Sequence, residues 1–67
     1  MRVRINGTEE VIFEKTMTLQ ELVINRGLTP AQVVIEVNLR IIPREQWPQI
    51  SLQDKVYIEI ISFVGGG

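Results

Sequence analysis

A chain of 67 residues with neither cysteine nor histidine must hold itself together by apolar burial alone. Domains of this size lie near the lower limit at which a hydrophobic core suffices, and many rely on disulfides or a structural metal. Without thiols and imidazoles, zinc, iron–sulfur and haem sites lose their usual donors, and thiol or imidazole catalysis is excluded. Any metal would rest on carboxylates. The length allows one domain with one small core and leaves no room for a large enclosed active site. Apolar residues make up 45% of the chain and charged residues 22%, so the material for that core is present and a folded chain is expected.

The pattern along the chain supplies the elements. Arg2 to Ile5 alternates polar and apolar residues and Glu10 to Phe13 is a second short apolar run, with Asn6-Gly7 between them. Both turn residues tolerate positive φ, so the pair predicts a tight hairpin. Thr16 to Leu28 predicts a helix of two to three turns: Thr18 and Glu21 form a capping box, and Met17 and Leu22 a hydrophobic staple. Leu19, Leu22, Val23 and Arg26 follow helical spacing, Gly27 sits at C′, and Leu28 can fold back as in a Schellman motif. Gln32 to Val37 reads as a strand, Asn38-Leu39-Arg40 as a turn, and Ile41-Ile42 as a short strand that Pro43 ends. Arg44 to Ile50 is irregular with room for one helical turn, and Trp47 there is expected as a lid on the core edge. After a turn at Asp54, Lys55 to Ser62 is the longest strand and, being apolar on both faces, should be central.

This order predicts an α+β chain of β-grasp type, a mixed sheet of four to five strands packed on one helix. A single domain is expected over residues 1–62, with a flexible glycine-rich tail over 63–67. A split βαβ arrangement would need a second full helix that the sequence lacks. One helix covers one face of such a sheet. Period-two alternation puts Val3 and Ile5 under the helix and leaves Arg2 and Arg4 on the other side. The open face of the last strand then carries Tyr57, Glu59, Ile61 and Phe63. Arg4, Tyr57, Glu59, Ile61 and Phe63, followed by Val64, form a candidate partner-binding surface. The plainer alternative is an ordinary half-exposed sheet with a weak Arg4–Glu59 ion pair.

Seven basic against eight acidic residues give a net charge of −1, so the field that nucleic-acid binders use is missing and no nucleic-acid partner is expected. No apolar run approaches membrane-spanning length and no leader pattern is present, which makes a cytoplasmic location the expectation. Glu9 and Glu10 beside the hairpin turn read as solvated charge, and no convergent polar cluster suggests an enzyme.

Residues 65–67 are all glycine. Three consecutive glycines at a given place occur by chance with a frequency of roughly 0.0003 at average usage, so a frayed end or a cloning remnant is the weaker explanation. Lacking Cβ atoms, Gly65, Gly66 and Gly67 could pass through a narrow channel in a partner, reaching roughly 10 Å when extended. The Gly67 carboxylate, with an ordinary pKa of about 3.3 to 3.7, is ionised at neutral pH and could attack the α-phosphate of ATP. The resulting acyl-adenylate has AMP as its leaving group, open to sulfur or nitrogen nucleophiles. The chain itself need contribute no acid, base or metal.

Thr18-Leu19-Gln20-Glu21-Leu22, the stretch from Val37-Asn38 to Ile42-Pro43-Arg44-Glu45-Gln46-Trp47, and the ending Phe63-Val64-Gly65-Gly66-Gly67 together resemble the ThiS family of thiamine-biosynthesis sulfur carriers over essentially the whole chain. The Pro-Arg-Glu-Gln-Trp stretch discriminates most; a terminal Gly-Gly is shared with ubiquitin and the molybdopterin synthase small subunit. The resemblance implies that Gly67 is adenylated by an enzyme similar to ubiquitin-activating enzymes, using ATP and magnesium, with no cofactor bound by the carrier. It further implies that a cysteine persulfide supplies sulfur for a thiocarboxylate, and that thiazole synthase receives it. Gly66 would be the flexible neighbour and Gly65 an extension of the tail. A molybdopterin-type carrier, a ubiquitin-like protein modifier and a plain interaction module are the alternatives.

Overall fold

A computed structural model of the protein describes residues 1–63. Strands β1 (Arg2–Ile5) and β2 (Thr8–Val11) form the opening hairpin, with Ile5 paired to Thr8 across a two-residue turn. Asn6 and Gly7 both take positive φ, 51° and 82°, the conformation that matches the twist of the flanking strands. Because this turn is so tight, pairing starts at Thr8, two residues before the apolar run that predicted the strand. β2 is therefore a largely exposed edge built from Thr-Glu-Glu-Val, and Phe13 lies beyond it, 90% exposed.

The helix α1 (Leu19–Asn25) begins where its caps dictate. Thr18 Oγ1 accepts from the Glu21 N–H at 3.1 Å and Glu21 Oε1 accepts from the Thr18 N–H at 2.8 Å. At the other end Gly27 takes φ 73°, the Gly27 N–H donates to Ile24 and the Leu28 N–H donates to Val23, which completes the Schellman closure. Leu19, Leu22 and Val23 are buried, while Arg26 leaves the core and pairs with Glu10 on β2. Glu10 is thus an ion-pair partner of the helix and not merely solvated charge.

A 3₁₀ turn (Pro30–Gln32) leads into β3 (Val33–Val37), which folds back on β4 (Arg40–Ile42) through Asn38 and Leu39 at φ 50° and 71°. A six-residue 3₁₀ helix (Arg44–Gln49) follows, then β5 (Tyr57–Ser62). The sheet order is β2-β1-β5-β3-β4, with β1 and β5 parallel and the other pairs antiparallel. This is the β-grasp, with five strands and the last one central.

The core lies between α1 and the inner face, where Val3, Ile5, Ile35 and Ile58 are almost wholly buried. Trp47 corrects its sequence reading: it is not an edge lid but is 1% exposed, with Nε1 donating to the Ile42 carbonyl at 3.0 Å. The Arg44–Gln49 helix makes this possible. The backbone that follows it is tied to the start of α1, the Leu19 N–H donating to Ile50 and the Leu52 N–H to Met17. With its one donor satisfied, complete burial of the indole carries no polar penalty.

Candidate functional site

The open face of the sheet is set by register. Arg4 lies opposite Glu9 on one side and beside Tyr57 on the other, so all three share the uncovered face. Continuing along β5, Glu59 stands opposite Glu36 and Ile61 opposite Val34, while Ile41 of β4 flanks Glu36. Alternation from the buried Ile58 and Ile60 places Phe63 on the same side as Ile61. The sequence-selected residues Arg4, Tyr57, Glu59, Ile61 and Phe63 therefore share one surface, graded from polar at the β1 end to apolar at the end of β5. Ile61 is 44% exposed, Phe63 50% and Ile41 67%.

Polar contacts on this face are local. The Tyr57 hydroxyl donates to Glu59 Oε1 at 2.8 Å. That hydrogen bond, then the negative charge of Glu59 itself, raise the Tyr57 pKa above its usual 10.0. Arg4 does not pair with Glu59; its guanidinium reaches the Gly7 carbonyl at 3.4 Å, and the ion pair expected as the plainer reading does not form. Tyr57, being nearer along the strand, takes the carboxylate instead.

Besides Glu9, three residues of this face are absent from the sequence reading: Val34, Glu36 and Ile41. The alternation within Val33–Val37 held the signal for the first two once its buried positions were known. Ile41-Ile42 gave none, since two adjacent isoleucines do not say which one faces out. Near the end of β5, Ala31, Val34, Ile41, Pro43 and Arg44 line a shallow apolar groove beside Phe63. Phe63 is joined to the sheet through its N–H, which donates to the Gln32 carbonyl at 3.0 Å. Val64, Gly65, Gly66 and Gly67 lie outside the described residues. Among the described residues no three carboxylates converge as metal ligands, and no helix is long and apolar enough to cross a membrane.

The family model for the ThiS family matches residues 2–67. The chain belongs to the ThiS family. Among curated ThiS-like relatives, it is 35% identical over 65 residues to the sulfur carrier protein ThiS of Bacillus subtilis, covering 97% of this chain and 98% of that one. It is also 37% identical over its full length to a thiazole synthase of Paramagnetospirillum magneticum and 33% identical to one of Magnetococcus marinus. The chain spans only 20% of the length of each of those two proteins. The ThiS fold is seen again in a crystal structure of the thiamine biosynthesis protein ThiS from Geobacter metallireducens, with a TM-score of 0.83, 25% identity and full coverage of both chains. A solution structure of a thiamine biosynthesis protein from the same organism gives a TM-score of 0.82 at 26% identity, covering all of this chain and 88% of that one.

Proposed function

We propose that this chain is a sulfur carrier for formation of the thiamine thiazole, with Gly67 as the loaded residue. The observation that carries the reading is the near-complete mutual coverage with the Bacillus subtilis sulfur carrier, joined to a family match that runs through residue 67. The chemistry follows from the carboxylate. In the first step an oxygen of Gly67 attacks the α-phosphorus of ATP, pyrophosphate leaves, and magnesium held with the nucleotide by the activating enzyme offsets the phosphate charge. In the second, the terminal sulfur of a cysteine persulfide on a donor protein attacks the acyl carbon and AMP departs. A further thiol then cleaves the S–S bond, leaving a thiocarboxylate on Gly67 and a disulfide on the donor side. Thiazole synthase takes the sulfur.

The carrier's own part is to present its end. Arg4, Tyr57, Glu59, Ile61 and Phe63 on the open face, with Val64 after them, are the surface that docks on these enzymes, and Gly65 and Gly66 allow entry into a narrow channel. Support for thiazole synthase as the acceptor comes from two proteins of that name in which a region like this chain occupies about a fifth of the length. Removing Gly66 and Gly67 should abolish sulfur loading by the activating enzyme, ATP and a sulfur donor. The thermal midpoint should stay unchanged, because glycine has no side chain to bury and the buried core runs from Val3 to Ile60. Loading that survives the deletion would leave a plain interaction module as the better reading.

A further inference from the structure

Successive residues of a strand turn their N–H and C=O groups to opposite neighbours, and β5 shows this alternation clearly. Its odd-numbered residues face β3: the Tyr57 carbonyl accepts from the Asn38 N–H at 2.8 Å and the Phe63 N–H donates to Gln32. Even-numbered positions face β1, where the Val56 and Ile58 carbonyls accept from Arg4 and Asn6, each at 2.9 Å. But β1 runs out first. Its register ends with Ile5 opposite Ile58, after which the chain turns away at Asn6-Gly7. Asn6 makes one last contact through its side chain, Oδ1 accepting from the Ile60 N–H at 2.7 Å.

Beyond that point the alternation aims the Ile60 carbonyl and both the N–H and C=O of Ser62 toward the side β1 has left, and no described group bonds them. Among the described residues, the central strand is thus paired along its whole β3 side and unpaired along the last part of the other. The outer edges of the sheet are guarded in the usual ways. β2 carries Glu9 and Glu10, and β4 is three residues long and followed by Pro43. The β5 edge has no such guard: Ile60, Ile61, Ser62 and Phe63 include neither a charge nor a proline.

We propose that an extended segment of a protein partner adds to the sheet here, occupying the lane that β1 vacates beside Ile60–Ser62. Acceptor, donor and acceptor follow one another along an extended backbone, and the partner that matches them at strand spacing is another extended backbone. Its side chains on the open face would meet Ile61, giving an apolar preference at that position. This deepens the proposed function and rests on it: the pairing strand belongs to the acceptor enzyme, thiazole synthase.

Backbone hydrogen exchange on the full 67-residue carrier, alone and with thiazole synthase from the same organism, tests the pairing. Exchange at the Ser62 amide should slow by roughly tenfold or more in the complex, while the Ile41 amide on β4 stays as it was. Ser62→Pro removes the donor on the open edge and leaves the Ile61 and Phe63 donors to β3 in place; it should weaken binding by about five- to tenfold. Should that variant fail to fold, the exchange measurement decides alone. Binding with unchanged Ser62 exchange, or protection at Ile41 instead, overturns the pairing. No binding of the unmodified carrier at all would overturn thiazole synthase as the acceptor, and this pairing with it.

Discussion

Tyr57 reaches along its own strand to place its hydroxyl 2.8 Å from Glu59, which ties two side chains of the open face together. Since the hydrogen bond and the Glu59 charge raise its pKa, Tyr57 favours folding most while protonated. That contribution is complete below the unfolded value of about 10 and fades as the pH climbs through the folded one. Glu59→Gln should bring the pKa down toward 10, and tyrosinate absorbance reads it directly because Tyr57 is the single tyrosine. An unchanged titration would mean that the contact is not kept in solution. Residue-scale events of this kind were the least legible in the sequence. Period two put Tyr57 and Glu59 on one face but could not say that Tyr57, and not Arg4, would take the carboxylate. The burial of Trp47 is hidden from the sequence for a related reason: it depends on the Ile42 carbonyl lying in reach of the indole donor, which spacing along the chain does not reveal. Asn6 is legible as a turn residue, while its side-chain bond to Ile60, 54 positions away in the chain, is not.

Elements with their own punctuation were legible. α1 has seven residues, far fewer than an isolated helix needs, so its caps and its buried stripe must hold it. Thr18 to Glu21 and Gly27 to Leu28 are short-range patterns whose geometry is fixed by the residues themselves, and all of them formed. Thr18→Ala removes the side-chain acceptor of the Glu21 N–H and should lower unfolding stability by about 1 kcal/mol, seen as a lower denaturant midpoint at unchanged slope. No loss would mean that packing alone fixes the helix start. β2 starts earlier than its apolar run because a two-residue turn imposes pairing on whatever follows it, including Glu9 and Glu10, which have little strand propensity of their own. The second hairpin turn falls at Asn38-Leu39 as expected, but Arg40, already in β4, pairs with Val37, and Leu39 takes φ 71° without glycine's freedom. That turn also supports the central strand, since the Asn38 side chain accepts from the Tyr57 N–H at 3.2 Å.

At the scale of the whole molecule, the sheet brings β5 between β1 and β3 and so joins the two ends of the described chain through its centre. This followed from one sequence property, a last strand apolar on both faces, combined with a single helix to cover one side. The uncovered side holds the candidate docking residues, and residues 64–67 follow directly on the strand that carries most of them. The proposed work of the chain is to offer a carboxylate to enzymes that activate and consume it. Intact-mass analysis, after incubation with the activating enzyme, ATP and a sulfur donor, tests that claim most directly. The account predicts a species heavier by the difference between one sulfur and one oxygen atom, with fragmentation placing the change on Gly67. A chain whose mass never changes under those conditions, or sulfur found on any other residue, would contradict it.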